Sequence, residues 1–334
     1  MKSTLRYPAL LTVLVLFLAV LFFWHLSLGY HYLSKEQLAS ILIFGGTPQE
    51  MLTVYDFRMV RSLLAVLIGM GLAISGAIFQ TVSKNELASP SLLGVNAGAG
   101  LMVMLLIYMT DAAKGLEIWE QPLAAVIGGA LAALTIYRLT YRSGHMTSTY
   151  TLVLNGIAVT AGLHALQILC LVGLDLTKFH QVNTWLIGSI FGNSWSQVTV
   201  LLVIVCLFLA FFFASHETLD ILSLKEETVI GLGIPLNRAR FLYLMAAVVL
   251  AAACVAVAGS IGFIGLICPH IARRFVGVMH RRFLPVTALL GGILLVLSDG
   301  VARVVIAPDE MLVGLIVSLI GAPYFLYILA RSRG

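Results

Sequence analysis

Residues 56–82 read DFRMVRSLLAVLIGMGLAISGAIFQTV, and this stretch decides the fold class. From Ser62 to Val82 no side chain is charged. That length matches the roughly 20 apolar residues a helix needs to cross a bilayer. Arg58 and Arg61 stand three apart where the run opens, on one helical face. Nine more runs can be drawn around it, giving spans at approximately 8–28, 60–82, 92–109, 121–141, 149–172, 196–214, 240–259, 261–276, 284–305 and 311–330.

Composition agrees. The 334 residues are 60% hydrophobic and 10% charged, whereas a soluble domain carries about 25% charge. Such a chain cannot clothe itself in polar surface, so 1–334 is expected to be a single membrane domain. The first run follows Lys2 and Arg6 as a signal peptide would. It is long for a cleaved signal and no clear small-x-small site follows, so it counts as a true span. The eighth run holds Gly262, Gly265 and Pro269, a broken helix that membrane depth tolerates only under a cover of protein.

Charge sets the expected orientation. With the N-terminus in the cytoplasm, fourteen of the twenty Lys and Arg fall inside and six outside, in keeping with the positive-inside rule. Ten spans return the C-terminus to the cytoplasm. The formal charge of +5 therefore reflects topology, and no nucleic-acid partner is expected. Cys170, Cys206, Cys254 and Cys268 lie within or beside apolar runs, with no CxxC pair, and read as small apolar residues. Glycines such as Gly69, Gly76, Gly98, Gly128, Gly291 and Gly292 read first as helix-packing positions. AISGAIF (73–79) and AVAGSIGF (256–263) are loosely alike, a hint of an internal repeat.

No GxxxxGK[ST] or HExxH occurs, so no phosphate-cradling loop or zinc-protease helix is present. No enzyme is expected and no metal site. Within the runs, Asp299 and Arg303 stand four apart, as a local ion pair would. His164 and Gln167, with Asn155 below, are expected to be interhelical hydrogen-bond partners rather than the lining of a path. The longest polar stretch, about 215–240, reads SHETLDILSLKEETVIGLGIPLNRAR. Leu222, Leu224, Val229, Ile230 and Leu232 alternate with charges, and Gly231, Gly233 and Pro235 force a turn. Short amphipathic helices broken by a sharp bend follow, and so many apolar side chains point to a docking surface.

Together, DFRMVRSLLAVLIGMGLAISGAIFQ, NELASPSLLGVNAGAG, EETVIGLGIP, AVAGSIGFIGLICPHIARR and GAPYFLYILAR resemble the FecCD-type permeases of type II ATP-binding-cassette importers for iron-siderophores, haem and cobalamin. The resemblance implies an all-α polytopic subunit of about ten transmembrane helices in a bacterial cytoplasmic (inner) membrane, lying in membrane lipid. It implies pairing with a second permease subunit, as a homodimer or with a paralogue. It implies two ATP-binding-cassette subunits, which hold the ATP and Mg, since no cofactor is bound by the permease directly. A substrate-binding protein docks outside. Thr228, Val229, Leu232, Gly233 and Pro235 match the family's ATPase-coupling segment; Arg58, Arg61 and Arg303 its binding-protein docking arginines, so docking outweighs the local pair for Arg303. Asn85 and Leu87 match its cytoplasmic gate, with Thr149 as a second gate position. Iron-siderophore is the expected cargo, with haem or cobalamin as alternatives. An ion-gradient-driven transporter is the rival reading and requires a buried carboxylate in the path.

Overall fold

The computed structural model describes residues 6–29, 33–91, 94–110, 119–142, 145–146, 149–190, 192, 194–306 and 309–332. Lys114 and both chain ends used in the orientation count, Lys2 and Arg333, lie outside them. The chain is all-helical: α1 (Arg6–Ser27), α2 (Lys35–Phe44), α3 (Pro48–Met51), a π-helical stretch Leu52–Met59, α4 (Val60–Ser83), α5 (Val95–Met109), α6 (Glu120–Thr140), α7 (Thr149–Val172), α8 (Leu176–Ile187), α9 (Trp195–Ala214), α10 (His216–Leu222), α11 (Glu226–Gly231), α12 (Leu236–Ala258), α13 (Ile264–Val276), α14 (His280–Val304) and α15 (Val313–Ser332). A two-residue antiparallel pair, Tyr141–Arg142 with His145–Met146, joins α6 to α7.

Each of the ten apolar runs falls on a helix. Among the described residues, seven helical segments are long and apolar enough to cross a membrane; α5 and Val313–Tyr327 are apolar but shorter. The apolar stretch of the continuous Pro48–Ser83 segment is 83% buried, that of α1 only 17%. The first is therefore the hub of the bundle, and the second turns most of its side chains outward, as a lipid-facing helix does.

Apolar burial does not favour protein over lipid, so close backbone approach must hold membrane helices together. The glycines supply it. A Cβ placed on Gly69 would strike the Gly291 carbonyl, joining α4 to α14, and one on Gly76 would strike the Gly265 carbonyl, joining α4 to α13. Gly98 and Gly128 join α5 to α6 in the same way.

The broken eighth run is covered by protein, as expected: α13 begins after Phe263 at φ 64°, and Ile264 through Pro269 are all buried. Before it, Gly259 (φ 69°) lets the chain turn back. There Ser189 N donates to Ala258 O (2.8 Å) and Ser260 N to Trp185 O (3.2 Å), tying α8 to the end of α12. Of the two loosely similar segments, the first keeps Gly76 inside α4, whereas in the second Gly259 follows α12 at positive φ.

Candidate functional site

α4 and α14 run antiparallel, so the start of one meets the end of the other, and charged groups gather at both meetings. At the first, Asp299 is fully buried on α14. Arg61 Nε and Nη2 donate to its two carboxylate oxygens (2.9 and 3.0 Å). His25, also fully buried, donates from Nε2 to Oδ2 (2.8 Å), because a carboxylate can only accept. His25 Nδ1 lies 2.7 Å from Ser62 Oγ. Arg303 Nε is 3.4 Å from the same Asp299 oxygen, too loose to be the main partner.

The local Asp299–Arg303 pair is present, but at 3.4 Å it is the looser contact. The side chain that claims Asp299 comes from α4, through the two-point geometry that suits a guanidinium to a carboxylate. Asp299 is a buried carboxylate of the kind the ion-gradient reading requires, but its oxygens are occupied by an arginine and a histidine, which does not leave a free proton carrier.

Arg58, Arg61 and Arg303 are only 6, 8 and 8% exposed. Arg58, on the π-helical stretch, donates from Nη1 to the carbonyls of Leu26 and Ser27 (3.0 and 3.1 Å), and Arg303 from Nη1 to Leu28 O (3.3 Å). Both therefore satisfy carbonyls that α1 leaves open at its C-terminus, where positive charge is favoured. Arg61 Nη1 also binds Glu310 Oε2 (2.5 Å) on the loop before α15. All three arginines border one cavity of about 750 Å³, together with Glu50 and Glu310. The arginines predicted from the sequence are brought together, with three positive and two negative side chains on the cavity wall. His25 and Glu310 had not been singled out.

The opposite end carries the polar loop. It folds into α10 and α11 with a turn at Gly233 (φ 82°), the broken amphipathic pair expected. Thr228, Leu232, Gly233 and Pro235 face outward, Leu232 being 58% exposed, whereas Val229 is fully buried and anchors α11 to the core. Three ties fasten the loop to the bundle. Asp220 Oδ1 accepts from His280 N (2.8 Å) and lies 2.6 Å from His280 Nδ1. Lys84 Nζ donates to Leu224 O. Arg240 Nη2 donates to Glu226 Oε1 (2.5 Å), and that hydrogen bond holds the Glu226 carboxyl below its usual range. This last tie is present at neutral pH and is lost as pH falls through the lowered value, when the carboxylate protonates.

Beside the loop, Asn85 Oδ1 accepts from Leu87 N (2.9 Å), closing a turn just after α4. Both side chains are half-buried. Glu86 reaches toward His270 and Arg273 on α13 at 3.8 and 4.0 Å. Thr149 opens α7, but its side chain lies outside the described residues. Gln167 Nε2 donates to Ala97 O (2.9 Å) and its Oε1 lies 2.8 Å from His164 Nδ1, while Asn155 Nδ2 donates to Thr140 Oγ1 (3.2 Å). Gln167 and Asn155 are interhelical partners, as expected, whereas His164 meets Gln167 within α7.

The profile of the FecCD transport family matches residues 16–331. The chain is 39% identical to the iron(3+)-hydroxamate import system permease protein FhuG of Bacillus subtilis (strain 168), covering 100% of both chains. It is 39% identical to the cobalamin import system permease protein BtuC of Halobacterium salinarum (strain ATCC 700922 / JCM 11081 / NRC-1), over 88% of this chain and 78% of the relative. Among solved structures, an inward-facing metal-chelate type ABC transporter superposes with a TM-score of 0.86 at 28% identity, covering 97% of this chain and 100% of the other.

Proposed function

The chain belongs to the FecCD transport family, and from that premise we propose that it is the permease subunit of an ATP-binding-cassette importer that moves an iron-siderophore complex across a bacterial cytoplasmic membrane. The ferric hydroxamate class is the first cargo to test, because a relative that matches the chain from end to end is an iron(3+)-hydroxamate permease. Haem and cobalamin are the alternatives.

In this reading ten helices cross the bilayer, both termini are cytoplasmic, the arginine end faces outward, and the α10–α11 loop faces the cytoplasm. A second permease subunit completes the path. Two ATPase subunits hold ATP and Mg and press on Thr228, Leu232, Gly233 and Pro235, with Val229 fixing α11 from beneath. A binding protein offers acidic side chains to the cavity bordered by Arg58, Arg61 and Arg303. Asn85, Leu87 and Thr149 close the cytoplasmic mouth.

The observation that carries the reading is the loop. Ile230 and Leu232 stand 61 and 58% exposed on a short helix whose other face is pinned to the bundle. Fixed apolar side chains turned to water mark a surface awaiting a partner.

Gly233 tests it. Its positive φ is open to glycine at little cost and strained for other residues. Gly233→Leu is expected to leave the subunit in the membrane while ATP-driven uptake of a ferric hydroxamate falls and hydrolysis by the assembled ATPases continues. Uptake at the wild-type rate in that variant counts against the loop as the coupling surface. Parallel assays with haemin and cobalamin decide the cargo, since only the true one should saturate and require its binding protein.

A further inference from the structure

The loop's attachment to the bundle is not evenly spread. Lys84 Nζ to Leu224 O is a tie at exposed positions, and Arg240–Glu226 joins a buried arginine to a carboxylate that is 56% exposed. In the third tie the histidine is buried, its Asp220 partner is half-buried, and the contact reaches a second helix. His280 is 2% exposed and is the first residue of α14. Its backbone N–H would be one of the orphan donors of a helix start, and no side chain of its own segment caps it. Asp220 from α10 fills that role and also takes the imidazole Nδ1, so one carboxylate engages one residue twice. The other ring nitrogen, Nε2, lies 2.8 Å from Thr81 Oγ1 near the end of α4. The Phe283 ring stands edge-on to the imidazole, 5.6 Å between centroids. His280 thus touches the loop, α14 and α4 at once.

The same two helices are joined at their other ends by Arg61–Asp299 and at mid-length by the glycine contact of Gly69 with Gly291. Twenty residues separate Arg61 from Thr81, about 30 Å of helix, close to the thickness of a bilayer core. α4 and α14 therefore form a strut with a polar rung at each end and backbone contact between. α10 has only seven residues, too few to hold a helix unaided, so its position is set by its contacts, which are Leu219 and Leu222 in the core and Asp220 on His280.

We propose that His280 is the positioning residue through which the cytoplasmic loop drives the α4–α14 strut, so that displacement of α10 is delivered to the arginine end as movement of one rigid pair. This rests on the reading of the loop as the ATPase surface. It adds to that reading the route by which the displacement leaves the loop.

The test uses the whole transporter, this chain with its partner permease, ATPases and binding protein, in lipid vesicles, with uptake of a ferric hydroxamate and ATP hydrolysis measured on the same preparation. His280→Ala and the near-isosteric Thr81→Val are expected to lower cargo moved per ATP by about tenfold, the factor for one lost hydrogen bond to a charged or polar partner. Thr81→Ser, which keeps the hydroxyl, should restore the ratio. Should His280→Ala fail to assemble, Thr81→Val still decides the matter. An unchanged ratio overturns the proposal, as does a parallel fall in uptake and hydrolysis, which a merely structural role would give. Failure of the ATPases to assemble on the wild-type chain would instead defeat the reading of the loop, and this inference with it.

Discussion

Replacing Asp299 with alanine is expected to destabilise the folded bundle by about 3–5 kcal/mol, the cost of removing one partner from a buried ion pair. The cause is not the lost attraction alone. Arg61 would keep its guanidinium buried with Nε and Nη2 deprived of acceptors, and His25 would lose the oxygen that receives its Nε2 proton. Arg303 would lose the nearest negative charge in the cluster. Thermal unfolding in detergent measures the effect. Glu310→Gln gives the contrast, since that carboxylate is 36% exposed and binds Arg61 at a single nitrogen; a change of about 0–1 kcal/mol is expected there. Equal effects from the two variants would mean that Asp299 is not the keystone of the cluster.

The second large effect is steric. Gly69→Leu places a Cβ against the backbone carbonyl of Gly291. No rotamer relieves that collision, because the clashing atom is the Cβ and its neighbour is main chain. α4 and α14 must move apart, so the cost belongs at or above the upper end of the roughly 1–3 kcal/mol range for overpacking. Gly292, the next residue along, behaves oppositely. A Cβ there meets Val66 Cγ1 and O at 3.5 Å, ordinary contact. Gly292→Ala should be neutral or stabilise by up to about 1 kcal/mol, through the better helix propensity of alanine. Unfolding midpoints of the two variants should therefore move apart, and a tolerated Gly69→Leu would contradict the close approach.

Much of this architecture is legible in the sequence because apolar runs and helix lengths are local properties. The ten runs coincide with helices for that reason, and the bend at Gly231 to Pro235 follows from residue chemistry alone. Apart from α10 and α11, the elements between the runs do not stand out in the sequence, although signals for two of them exist. SKEQ at 34–37 and TPQE at 47–50 are capping boxes, and both close in the structure, at the starts of α2 and α3. They precede segments too short or too polar to register as spans. α8, which Asp175 caps through Lys178 N, escaped in the same way.

The candidate site was legible in part. The i,i+4 spacing of Asp299 and Arg303 suggests a pair, but it cannot show that Arg61, 238 positions away in the chain, fits the carboxylate better. His25 lies in an otherwise apolar helix and its partner is 274 positions distant, so only the fold reveals what it does. Val229 sits in the docking segment by position, yet helical phase turns it inward while Thr228 and Leu232 turn out.

The measurement that bears most directly on the account is uptake of a labelled ferric hydroxamate by vesicles holding the assembled transporter, with ATP inside or outside and with an imposed ion gradient as the comparison. The account predicts uptake that requires the binding protein on one face and hydrolysable ATP on the loop face, with no response to the gradient alone. Uptake driven by the gradient without ATP would contradict it and would turn attention to Asp299 as a carrier.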